Sequence, residues 1–128
     1  MITGRKAHRL ERVAEELRAA GAEFRTCVSD VADRAASRRL AAETIEAFGT
    51  IDALVANAQS YIPVTPLADV TPESFDLVLD TGPRGTLWLM QAVLTMMRSV
   101  LPDARSSAWA PFFAASGSSQ VVLTPHSS

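Results

Sequence analysis

Apolar positions along the chain recur with two different spacings, and the change from one to the other separates helices from strands. Over residues 7–20, Leu10, Val13, Ala14 and Leu17 return at intervals of three and four, while Glu11, Arg12, Glu15, Glu16 and Arg18 fill the positions between. That spacing predicts an amphipathic helix, ended at Gly21. Residues 24–28 then form a short run of strand type. A second helix is predicted over 34–48, opened by Asp33 as N-cap and closed by Gly49, with Leu40, Ala41, Thr44, Ile45 and Phe48 as its buried stripe. The apolar run Ala53-Leu54-Val55-Ala56, bounded by Asp52 and Asn57, predicts a strand buried on both faces.

Pro63, Pro66 and Pro72 exclude a regular helix from the stretch that follows. Thr71-Pro72-Glu73-Ser74 reads as a helix start, with Thr71 as cap and Pro72 at the first helical position. Phe75, Leu77, Val78 and Leu79 continue that helix until Gly82-Pro83 interrupts it. Residues 85–101 are strongly apolar (Leu87, Trp88, Met90, Val93, Leu94, Met97, Leu101), which predicts a helix buried over most of its surface or shared with a second subunit. Residues 103–120 have no clear period and are expected to form a loop or poorly ordered segment, before a final strand at 121–124. Strand, helix, strand, helix, strand, loop, helix is a βαβ rhythm, so the fold class is α/β with a parallel sheet in a single domain, 1–128. Ligands in such sheets sit beyond the carboxyl ends of the strands, which puts residues 57–61 on the rim of a crevice.

Composition narrows the partners. With 128 residues the chain has room for one domain, and a net charge of −2 without a basic excess argues against nucleic acid or an anionic membrane surface. No apolar stretch approaches the length of a bilayer span and the first residues show no apolar h-region of secretory type, so the expected location is cytoplasmic. Cys27 is the single cysteine, which rules out an internal disulfide and suggests a small buried side chain.

Phe48-Gly49, the strand ending in Ala56-Asn57-Ala58-Gln59, Val70-Thr71-Pro72-Glu73 and Asp80-Thr81-Gly82-Pro83-Arg84-Gly85-Thr86 follow one another in an order that resembles the short-chain dehydrogenase/reductase family over residues 1–101. The family's own patterns there are Asn-Asn-Ala-Gly and Asp-Val-Asn-Leu-Arg-Gly-Thr. The chain therefore carries Gln59 in place of a glycine and Gly82 in place of an asparagine, which leaves no side-chain amide at position 82. The resemblance implies a partial Rossmann-like, doubly wound sheet without the family's first strand and its glycine-rich loop. Two strand edges, at residues 1–4 and 53–56, would then be left unpaired.

The same resemblance implies a cofactor and a site. Thr3-Gly4-Arg5 has no acid, so the implied cofactor is NADP, with Arg5 on the 2′-phosphate. Asp30 and Val31 correspond to the pair that holds the adenine, and Asn57 and Ala58 lie where the cofactor ribose is bordered. Tyr61 has Thr65 where a catalytic tyrosine has lysine four residues on, so it is expected at the rim. Ser128 is the candidate catalytic residue, standing for a serine that polarises the substrate oxygen, and His126 is a weaker one. Neither a Tyr-x-x-x-Lys pair nor a glycine-rich turn after a strand occurs in these residues. The implied function is a fragment, truncated at both ends, of an NADP-dependent oxidoreductase acting on an alcohol or ketone, inactive or nearly so by itself. The alternatives are a non-enzymatic remnant forming a homo-oligomer or pairing with a full-length relative through the 85–101 helix, and an unrelated small α/β binding module.

Overall fold

Capping side chains and glycines set the helix limits. In the computed structural model, which describes residues 1–100 and 121–124, helix α1 spans Ala7–Ala19 and stops before Gly21, whose φ of 71° only a glycine adopts without strain. Helix α2 spans Arg34–Phe48. The Asp33 carboxylate accepts the Ala35 N–H at 2.8 Å, and Gly49, left-handed at φ 79°, closes the helix by donating to the Ile45 carbonyl at 2.7 Å. Helix α3 spans Pro72–Leu79, capped by Thr71. Pro83 has no N–H to give, and the helix widens into a π-type turn over Asp80–Arg84 that the Arg84–Asp80 ion pair spans, before α4 runs over Gly85–Val100.

The strands are β1 (Ile2–Gly4), β2 (Thr26–Val28), β3 (Ala53–Ala56) and β4 (Val121–Thr124), in the order β2-β1-β4-β3. β1 and β2 are parallel, with Ile2 opposite Thr26 and Gly4 opposite Val28. β4 is antiparallel to both of its neighbours, starting opposite Ala56 and ending opposite Ala53. The sheet is therefore mixed, and the edges expected to be unpaired at β1 and β3 are joined by the chain's own last strand. Backbone N–H and C=O groups facing that gap need partners, and the Val121-Val122-Leu123-Thr124 run supplies them.

Met1, Val31, Leu40, Ala41, Ile51, Leu89, Ala92 and Val93 form one core, with Cys27 and Leu54 packed against it. Ile2, on the opposite face of β1 by strand alternation, is buried together with Leu10 and Ala14 of α1. The two faces are not equally covered at β3. Leu54 faces the core, but Val55 is 43% exposed and Ala53 and Ala56 are exposed, contrary to a strand buried on both faces. α1 packs on β1 and β2, whereas the helix packed on β3 is α4, on the core side. β2 is also shorter than residues 24–28, because Phe24 lies before it, its ring 5.7 Å from the Arg18 guanidinium. In α4, Leu89, Ala92 and Val93 are buried, while Leu87 is 46% exposed and Gln91 and Thr95 are exposed, so the helix is buried on one side rather than over most of its surface. Among the described residues no helix is long and apolar enough to cross a membrane. The expected loop at 103–120, His126 and Ser128 lie outside the described residues.

Candidate functional site

The parallel register of β1 and β2 brings Arg5 and Asp30 to the same end of the sheet. The Ser29 N–H donates to the Gly4 carbonyl at 3.2 Å, so the turn carrying Asp30 starts where β1 stops. One Asp30 carboxylate oxygen accepts the Ala32 N–H at 3.0 Å, which shapes the turn into α2 and leaves the group half-buried. Val31 is a core residue, 7% exposed. A Cβ at Gly85 would lie 3.2 Å from its Cγ2 and 3.1 Å from its carbonyl oxygen, so glycine at 85 lets α4 start directly over this turn. The side chain of Val31 thus packs in the core, and Asp30 stands half-buried beside it. The Ser29 hydroxyl beside it is buried and has no hydrogen-bond partner among the described residues.

A second set of contacts ties the loop after β3 to both neighbours. The exposed Arg5 guanidinium donates to Ser60 Oγ at 3.3 Å, reaching from the end of β1 across the width of β4. The Ser60 N–H donates to Thr81 Oγ1 at 2.8 Å, and Thr81 Oγ1 donates back to the Leu77 carbonyl at 2.8 Å. One residue earlier, the Gln59 side chain lies on Gly82, with its Nε2 3.1 Å and its Cδ 3.3 Å from where a Cβ at position 82 would stand. Position 82 itself carries no amide, as the sequence shows, and the carboxamide packed beside it is that of Gln59. Asn57 and Ala58 are half-buried at the start of this loop, Ala58 against the core. Tyr61, 66% exposed, is at the rim as expected.

The sequence therefore pointed to Arg5, Asp30 and residues 57–61 but not to the bonds by which Ser60 ties this loop to Arg5 and to Thr81. Thr81 stands four residues after Leu77, the spacing at which a helical threonine bonds back to a carbonyl, and that was its one local signal. Ser60 has none, since its partners are 21 and 55 residues away.

A groove of about 440 Å³ between α2 and α4 shares no residue with these strand ends. It is lined by Arg34, Arg38, Trp88, Gln91 and Leu94 among others, with the Arg34 guanidinium 4.7 Å from the Trp88 ring.

Cys27 takes no part in the site. Burial pushes its thiol up to about 11, and the neighbouring Glu43 carboxylate adds to the shift. At pH 8 the folded protein should react with iodoacetamide roughly a hundredfold more slowly than a free cysteine. Rates in buffer and in urea check this, and equal rates in the two would contradict the assignment.

A family model described as short chain dehydrogenase matches residues 1–106. The chain belongs to the short-chain dehydrogenase family. Sepiapterin reductase of Chlorobaculum tepidum is 38% identical over 97 residues, covering 76% of this chain and 39% of that relative. Among solved structures, an NAD+-bound xylitol dehydrogenase matches with a TM-score of 0.72 at 27% identity, over 76% of this chain and 37% of that one. A metagenomic short-chain oxidoreductase in complex with NADP matches with a TM-score of 0.69 at 27% identity, over 76% and 44%. This short-chain dehydrogenase sequence thus spans less than half the length of each protein it is compared with. Its Rossmann-like α/β fold is shared with them, and β4 lies beyond the residues that the family model matches.

Proposed function

We propose that the chain is a piece of an NADP-dependent short-chain oxidoreductase that transfers a hydride between the nicotinamide and an alcohol or ketone. The observation that supports it best is the placement of Arg5. Its guanidinium is exposed at the carboxyl end of β1, directly before α1, whose N-cap is Lys6 and whose first turn holds no acid. Two cations at a helix N-terminus suit an anion, and a guanidinium fork suits a phosphate in particular. The similar structures include one with NADP and one with NAD+, so the choice between them rests on this end of β1.

In this reading Arg5 takes the 2′-phosphate, Asp30 accepts from the adenine amine, and Asn57 and Ala58 border the ribose. When bound, NADPH would supply the hydride to a ketone, or NADP+ would accept it from an alcohol. Tyr61 has no lysine four residues on, so it is not assigned the role of proton donor. Cofactor selection belongs to this stretch, and turnover to a longer protein.

Calorimetric titration with NADPH and NADH tests the reading. NADPH should bind more tightly by about ten- to a hundredfold, the range of a charge-assisted contact, and Arg5→Ala should remove the difference. Equal affinity of the unmodified chain for the two nucleotides would overturn it. A second reading, association with another subunit through α4, is supported by the exposure of Leu87 on that helix.

A further inference from the structure

We propose that Gln59 is a ligand-facing amide of the strand-end crevice, delivered from the loop after β3 to the place that a side chain at position 82 would occupy, so that positions 59 and 82 act as one unit. Two successive contacts hold the same two segments in register. Ser60 meets Thr81 through a 2.8 Å hydrogen bond, and Gln59 meets Gly82 through van der Waals packing, its Cγ, Cδ and Nε2 lying 3.5, 3.3 and 3.1 Å from a Cβ at 82. Gly82 is buried inside the π-type turn, and its lack of a side chain is what admits the Gln59 amide. The two positions also depart from the resembled motifs in opposite senses, with an amide gained at 59 and one missing at 82.

The carboxamide is available to a ligand. Gln59 is half-buried in the loop that follows the carboxyl end of β3, and among the described residues its amide makes no hydrogen bond. A carboxamide donates and accepts from adjacent atoms, which matches the neighbouring hydroxyls of a nucleotide ribose. That ligand class rests on the cofactor reading given above, whereas the pairing of 59 with 82 does not.

The test uses the whole 15N-labelled chain and NADPH. The Gln59 side-chain amide signals, assigned by their loss in Gln59→Ala, should shift and saturate together with the backbone signals of Arg5 and Asp30. If Arg5 and Asp30 respond and the Gln59 amide does not, the ligand role of Gln59 is overturned and the cofactor reading stands. If none responds, the cofactor reading falls and takes that role with it. The pairing is read from melting. Gly82→Asn must push the Gln59 amide aside and should lower the midpoint by about 3–8 °C, and adding Gln59→Gly should recover most of that loss. Losses that simply add would overturn the pairing. Should Gly82→Asn not fold, Gly82→Ala serves, since its Cβ needs the amide to move by only a few tenths of an ångström. The drop is then smaller and should still be relieved by Gln59→Gly.

Discussion

Replacing Val122 with proline is expected to abolish the cooperative unfolding transition of this chain. Val122 is paired on both sides, opposite Ile2 in β1 and opposite Val55 in β3, so its strand is the central one that links the two. Proline there removes a ladder hydrogen bond and does not fit a strand paired on both sides. Each backbone group left buried and unpaired costs roughly 1–3 kcal/mol, and losing β4 exposes such groups along two strands at once. A domain's whole stability is about 5–15 kcal/mol. Urea titration followed by far-ultraviolet circular dichroism should show a shallow, non-sigmoidal change where the parent chain gives a single transition. A variant with the parent midpoint would mean that β1 and β3 do not depend on β4. The experiment also bears on the proposal that the chain is a piece of a longer protein. Since β4 lies beyond the family-matched residues, a protein that supplied another strand between β1 and β3 would tolerate the same substitution.

What could be read from the sequence divides along the range of the forces concerned. Asp33, Gly49, Thr71 and Pro72 act on backbone groups within a few residues, and the helices begin and end where those residues place them. Gly82-Pro83 announced a break, and the structure has a π-type turn there for the reason the sequence offered, a missing N–H. The four residues of β3 were bounded by Asp52 and Asn57 in the same local way. The place of β4 was not legible, because an apolar run of four residues says nothing about which strands it will join or in which direction. The exposure of Val55 was not legible either, since it depends on which helix lies over β3, and an apolar strand looks alike whether one face or two are covered. Arg5 and Asp30 were named from the order of elements in the family resemblance, and the parallel register of β1 and β2 brings them to the same end of the sheet. The contact of Gln59 with Gly82 spans 23 residues, and two departures that each looked like a loss turn out to be complementary in space.

Leu40→Ala is the second substitution with a large expected effect, and comparing it with Leu87→Ala tests the subunit reading. Leu40 is 1% exposed, on the face of α2 turned to the core, in the same cluster as Ile51, Leu89 and Val93. Its truncation removes apolar contacts and leaves a cavity that this small core can only partly close, for a loss of about 2–5 kcal/mol. The same chemical change at Leu87, 46% exposed on α4, should stay within about 0.5 kcal/mol in a monomer, since little apolar surface is withdrawn from water there. Denaturant midpoints at low protein concentration check both values. If the chain associates through α4, Leu87→Ala should in addition weaken the assembly and make its midpoint independent of concentration, because a partner that binds only the folded form stabilises it by mass action. A Leu87→Ala variant that sediments and melts as the parent does at every concentration would remove α4 from any interface and leave the exposed Leu87 as an ordinary surface residue.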